Sequence, residues 1–304
     1  MKPFNKILFL SFVLLLACPY AVADDSAPVQ SGAVKYVVTH ATVVPVREEP
    51  SHAAEQATQL LFGELCEVVE RIPSWTKIRS TIDGQVGWVT SGMLTPVANT
   101  PSPISNSPSS MAVIFTPFAT ATPVDGGAPL LLTLGTRLPQ YADGTFTFLD
   151  QQYLIDSACV SQPIAHSPSP TVQQRDLITI AKSLLNTPYL WGGKNAMGLD
   201  CSGFAQVVYA AIGINILRNA REQITQGELV PSLSDALPGD LAFFDQDDYD
   251  PNDIRITHVG ILLSPTEIIH CAGPCVHIDR IDASGIYLPD GTKTHHLVQI
   301  KRYL

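Results

Sequence analysis

The chain has 304 residues, 18 Lys and Arg against 28 Asp and Glu, a formal charge of −10, and 45% hydrophobic against only 15% charged residues. That composition excludes a highly charged disordered protein, and the acidic balance argues against nucleic acid or an anionic membrane surface as the main partner. The length predicts two or three domains, each burying its own core, and 24 prolines predict segments divided by loops and linkers.

Residues 1–23 read as a targeting segment. Lys2 and Lys6 precede an apolar run at 7–17, too short to span a bilayer, and Ala21-Val22-Ala23 supplies a small-x-small cleavage site. Leu15-Leu16-Ala17-Cys18 also resembles a lipoprotein lipobox, in which Cys18 would be lipidated; Pro19 and the Ala-x-Ala site favour simple cleavage. Either way the protein is expected to be exported, to the periplasm or cell envelope, with membrane attachment only through Cys18. Cys66, Cys159, Cys201, Cys271 and Cys275 then remain in an oxidising compartment. Their odd number predicts at least one free thiol.

Between residues 34 and 95 the runs VVTHATVVPV, LCEVVE, WTKIRS and QVGWVT alternate with turn residues, Asp83-Gly84 among them, and predict a small β-barrel. Residues 95–110 hold four prolines, five serines and no charge, the composition of a linker. A weaker strand pattern at 111–160 predicts a second, degenerate copy of the barrel, and residues 161–171 a second linker. From 172 onward the order becomes helices, then strands. Leu177, Ile180, Ala181 and Leu184 share one helical face, as do Phe204, Val207, Val208, Ala211 and Ile212, with Gly213 ending the second helix. The runs LAFF, HVGILL, EIIHCA and VQIKRYL complete an α+β domain at 172–304.

Asp200-Cys201-Ser202-Gly203 opens that second helix. Asp200 is a good N-cap, which puts Cys201 in the first turn, where free amides and the helix dipole are expected to lower its pKa. A thiolate needs an imidazole partner. His258 and His270 are the candidates. A three-residue loop at 264–266 would set Gly260 opposite His270 and both histidines on one sheet face; a two-residue loop would separate them.

PYLWGG, LDCSGF, RNAREQ, LPGDLAFF, ITHVGILL and EIIHCAG occur in that order. With them the segment from 172 resembles the NlpC/P60 family of papain-like cysteine peptidases, while 34–160 resembles bacterial SH3 domains. The whole is similar to γ-D-glutamyl-L-diamino acid endopeptidases with two such domains before the catalytic one. The resemblance implies Cys201 as nucleophile, His258 as general base and His270 as the residue orienting it. It implies Tyr189 as an oxyanion donor, and Asp200, Ser202, Asn219 and Glu55 as substrate contacts, with Glu55 binding a free L-alanine amine. Trp191 is expected to be core packing. The implied reaction is amide hydrolysis in peptidoglycan stem peptides or muropeptides, the leaving diamino acid being meso-diaminopimelate, with no cofactor. An N-acetylmuramoyl-L-alanine amidase, an acyltransferase and a non-catalytic wall-binding protein are the alternatives.

Two departures bear on specificity. Arg218-Asn219-Ala220 stands where the relatives have Arg-Asp-Ser, and Gln85 replaces an aromatic residue, which weakens the expectation of strict free-N-terminus specificity. The stretch from His270 to His277 offers zinc-ligand types, but Cys271 and Cys275 with histidines immediately outside fit usual zinc spacings poorly. No metal is expected there, and a Cys271–Cys275 disulfide is favoured, geometry to decide. Cys66 and Cys159 are expected to be buried small hydrophobes.

Overall fold

Alternating burial organises the first region. In the strand Val43–Arg47, Val44 and Val46 are buried while Val43, Pro45 and Arg47 are half-exposed, as period-two packing on one core requires. The computed structural model describes residues 34–97, 111–161, 170–245, 250 and 253–304. The expected leader and most of both linkers lie outside these. Strands Tyr36–Thr39, Val43–Arg47, Gln56–Leu61, Leu65–Ile72, Trp75–Ser80, Val86–Thr90 and Leu94–Val97 form one antiparallel sheet wrapped around Val37, Val44, Val46, Leu60, Cys66, Ile78 and Val89. Residues 95–97, counted with the linker in sequence, are strand: they pair with Tyr36–Val38.

Residues 111–161 form a four-stranded and a three-stranded sheet. Ala112, Ile114, Leu132 and Phe146 share a core with Val38, Phe62 and Leu65 of the first region, so the two β-units are packed as one body.

The helices follow the predicted faces. In α1, Pro170–Ser183, Leu177, Ile180 and Ala181 are buried, and Leu184 just beyond its end with them. The helix begins at Pro170, inside the expected linker; its fixed φ and missing N–H suit a helix start. In α2, Cys201–Ala211, nearly every side chain is buried, because the helix is covered on several sides. Leu241, Phe243, Val259, Ile261 and Ile269 pack against it from one sheet face, and Leu134 joins from the second β-unit. The sheet's other face buries Ala242, Phe244, Leu262, Ile268 and Ile281. Each such fully buried Leu, Ile, Val or Phe contributes about 1.5–3 kcal/mol. That sheet has seven strands: Glu228–Val230, Lys293–Arg302, Leu241–Asp245, His258–Ser264, Glu267–Ala272, Cys275–Asp282 and Gly285–Tyr287 in spatial order.

Polar keys lock the β-units to the α+β region. Lys194 Nζ donates to Glu64 at 2.9 Å with both side chains buried. Gln59 Oε1 accepts from Lys194 N and Asn195 Nδ2, and Ala196 N donates to Thr133 Oγ1 at 3.0 Å. The loop at 194–196, just before Cys201, is therefore held by both β-units.

Candidate active site

Asp200 has extended backbone and accepts from Gly203 N at 2.7 Å, capping α2. Cys201 is therefore the first helical residue. A Cβ at Gly203 would collide with the Gly193 carbonyl oxygen, so glycine at this position lets the 188–193 segment close over the helix start. The Val259 amide hydrogen-bonds the Cys201 sulfur, which brings Cys201 beside the His258–Val259 peptide.

The two histidines share a face through an unexpected turn. Only Pro265 and Thr266 separate the paired residues Ser264 and Glu267, a two-residue loop. A bulge between Leu262 and Ser264 then shifts the register by one, so that Ile261 opposes Ile269. The bulge restores the parity the short loop would have lost. Gly260 falls against His270: a Cβ there would lie 2.8 Å from the His270 Cβ. His258 Nε2 and His270 Nδ1 are 2.8 Å apart.

Beyond His270 stand Asp279 and His295, which the sequence reading did not single out, and His277, which it weighed only as a zinc-ligand type. His270 Nε2 lies 3.2 Å from Asp279 Oδ2, and His277 Nε2 lies 3.2 Å from the same oxygen. His295 stacks on His258 with ring centroids 4.4 Å apart. Asp279 is buried, which works to raise its pKa, yet its bonds to His270 and His277 hold it below the usual carboxylate value. An ionised carboxylate only accepts. His270 therefore carries its proton on Nε2 and accepts at Nδ1 from His258 Nε2–H, which leaves the His258 Nδ1 lone pair for another proton.

Burial, with the Asp200 carboxylate second, pushes the Cys201 thiol up to about 12 against the pull of the Val259 and Ser202 amides. The lowered pKa expected from the helix start is thus overturned: desolvation beside a carboxylate outweighs the dipole. Burial, reinforced by His270, His295 and His277, holds His258 well below its ordinary 6.5. Both shifts favour a neutral pair, an uncharged Cys201 thiol and an uncharged His258 imidazole. A buried neutral imidazole contributes stability that is present above about pH 6.5 and lost as the pH falls through its depressed folded value. Activity that needs the neutral base is expected to follow the same course, with the acid limb of kcat/KM lying below pH 6.5. A limb at or above 6.5 would contradict the neutral pair.

A cleft of about 730 Å³ gathers Tyr189, Trp191, Asp200, Cys201, Ser202, Asn219, His258 and His270 with Ala57, Arg221, His277, Asp279 and His295. Burial and the nearby Cys201 raise the Tyr189 hydroxyl to about 12, so it remains a donor. Trp191 is 61% exposed; it is a cleft wall, not core, because the barrel at Gln56 takes only its backbone oxygen. Asp200 and Ser202 line the cleft but spend their polar atoms on Arg218, which is 1% exposed. Arg218 bonds both Asp200 oxygens at 2.9 and 2.6 Å, Ser202 Oγ at 2.9 Å and, from its Nε, Thr58 Oγ1 at 2.7 Å. Through these bonds they hold the helix start. Asn219 donates from Nδ2 to Glu222 at 3.0 Å, and Gln85 braces the same carboxylate. Glu55 is exposed on the approach to its strand, and Ala57 is the residue that reaches the cleft.

All five described cysteines are free. Cys271 opposes Val276 while Cys275 opposes Ala272, so the two thiols point to opposite sheet faces and the favoured disulfide does not form. Cys271 donates to Leu199 O on the helix side. Cys66 is buried as expected, whereas Cys159 is only half-buried.

Comparison with known proteins bears on the whole arrangement. Residues 186–297 match the NlpC/P60 family, and 46–94 match the bacterial dipeptidyl-peptidase Sh3 domain. A γ-D-glutamyl-L-lysine dipeptidyl-peptidase of Bacillus subtilis is 31% identical over 229 residues, covering 70% of this chain and 71% of that protein. One from Bacillus cereus is 26% identical over 72% of this chain and 68% of its own length. The crystal structure of an NlpC/P60 family protein from Bacillus cereus shares the fold with a TM-score of 0.74 at 20% identity, covering 88% of this chain and 99% of that one. The likeness extends through both β-units as well as the cleft-bearing region, and the chain belongs to the NlpC/P60 family of cysteine peptidases.

Proposed function

We propose that the chain hydrolyses the γ-D-glutamyl–L-diamino acid amide bond of peptidoglycan stem peptides through a thioester on Cys201. The observation that carries this reading is the hydrogen-bonded run His258–His270–Asp279, ending in the cleft that also holds Cys201. His258 Nδ1 takes the thiol proton as sulfur attacks the γ-carbonyl of D-glutamate, which overcomes the raised thiol pKa at the moment of reaction. The Tyr189 hydroxyl donates to the developing oxyanion. The imidazolium then gives its proton to the departing amine as the C–N bond breaks. Water, deprotonated by His258, cleaves the thioester and regenerates the thiol. Asp279 acts as a positioning residue: it fixes the tautomers of both histidines so that the base faces sulfur.

The names of the Bacillus relatives support the choice of bond. Meso-diaminopimelate is the leaving residue in this reading, and the leader at 1–23 would deliver the enzyme to the wall. Among the described residues, the carboxylates lining the cleft are Asp200 and Asp279, bound to Arg218 and to two histidines respectively. Both are already paired, and in this reading stem peptides still joined to the glycan are substrates too.

Digestion of free and disaccharide-linked stem peptides, read by mass spectrometry, tests this. The expected products are fragments ending in γ-D-glutamate and fragments beginning with the diamino acid, from both substrates. Release at the lactyl–alanine bond, or transfer to an added amine, would make the enzyme an amidase or an acyltransferase instead.

A further inference from the structure

Strand register puts His270 opposite His277, and alternation puts Asp279 on the same face two residues on. His270, His277 and Asp279 each offer a ligand atom, and these atoms lie within 4.8 Å of one another; Asp279 Oδ2 is 3.2 Å from His270 Nε2 and from His277 Nε2. Ligands about 2.0–2.1 Å from a tetrahedral zinc ion are spaced about 3.3 Å apart, close to these two separations. His277 carries a second sign. Its Nδ1 lies 2.7 Å from Cys275 O, and a carbonyl accepts only, so Nδ1 holds a proton. Its Nε2 is then the ring atom turned to Asp279 Oδ2, 3.2 Å away. Anchoring of the far ring nitrogen on a backbone carbonyl is also how metal-binding histidines are commonly held.

We propose that His270, His277 and Asp279 form a binding site for a zinc-like divalent cation, and that its occupancy switches the enzyme off. Neither Cys271, which faces the helix, nor the spacing of Cys271 and Cys275 enters this site. The half-buried His277 opens it to the cleft, so the metal arrives by the same route as substrate. Coordination at His270 Nε2 expels the proton held there to solvent and takes Asp279 as a ligand. His270 must then carry its proton on Nδ1, received from His258 Nε2, and His258 takes one from solvent at Nδ1. The atom that should accept the thiol proton is now itself protonated, and the net proton count is unchanged. The binding claim stands on geometry alone; the inhibitory consequence rests on the peptidase reading above.

Calorimetric titration with zinc chloride of the chain carrying Cys201→Ser removes the obvious competing ligand, the Cys201 thiol of the same cleft. One equivalent is expected to bind, and binding is expected to weaken at least about tenfold when His277→Gln or Asp279→Asn is added. Circular dichroism of each variant shows whether it has folded. Loss of binding in Cys201→Ser alone would assign the metal to the Cys201–His258 pair and overturn the proposal, as would unchanged affinity in folded His277→Gln. Zinc is also expected to suppress stem-peptide hydrolysis by the unsubstituted chain. In His277→Gln, measured against its own zinc-free rate, that suppression is expected to require at least about tenfold more metal. Suppression at the same zinc concentration in both would overturn the proposed site. A chain that binds zinc as described yet cleaves no peptide would refute the proposed function and leave the metal site intact.

Discussion

Cys201→Ala is expected to lower kcat/KM for stem peptides by at least about four orders of magnitude, on the scale of nucleophile removal in triad hydrolases. The substitution leaves the Asp200 cap, the Gly203 contact and the Arg218 network in place. It also removes a thiol whose burial disfavours its ionised form. The variant is therefore expected to keep its circular dichroism spectrum and to melt within a few degrees of the parent. Retained turnover would exclude a Cys201 thioester. A parent that binds wall peptides without cleaving them would support the alternative of a non-catalytic wall-binding protein.

Arg218→Met is expected to be the most damaging change outside the histidines and Cys201. Arg218 is buried and places five hydrogen bonds on Asp200, Ser202, Thr58 and Gly193. Methionine fills much of its volume but leaves the Asp200 carboxylate buried without a counter-ion, a loss of about 3–5 kcal/mol. For a body of this size that corresponds to a fall in Tm on the order of 10 °C. Adding Asp200→Asn is expected to recover part of the loss, because asparagine still caps the helix and carries no charge to strand. If the double variant is no more stable than the single one, packing rather than the unpaired carboxylate is responsible. Activity is expected to fall with stability, since Thr58 ties the barrel to the helix start through this side chain.

Periodicity and capping carried much of this into the sequence. The α2 cap at Asp200 and the buried faces of both helices follow from local spacing. The shared face of His258 and His270 follows from strand parity, although the turn proved one residue shorter and a bulge made up the difference. Asp279 was within reach of the same logic. Gly273-Pro274 is a two-residue turn that pairs Ala272 with Cys275, hence His270 with His277, and Asp279 follows by alternation. Arg218 had no such signal: it sits in a loop, and its partners are distant in sequence. The exposed Trp191 and the outlying Glu55 depend on how the barrel meets the cleft, which no local pattern encodes. The Cys201 pKa failed for a related reason, since the helix dipole is local and desolvation is set by the whole fold.

Catalysis is assigned to one sulfur, that of Cys201, among five free described thiols. The role of Cys201 is tested most directly by an inactivator shaped like the substrate, L-alanyl-γ-D-glutamate with a diazomethyl ketone in place of the scissile amide. Peptide mapping after treatment is expected to find one equivalent on the peptide bearing Cys201, with activity lost in step and with protection by stem peptide. Labelling of Cys275 or another thiol in its place, or full activity after Cys201 is alkylated, would contradict the account.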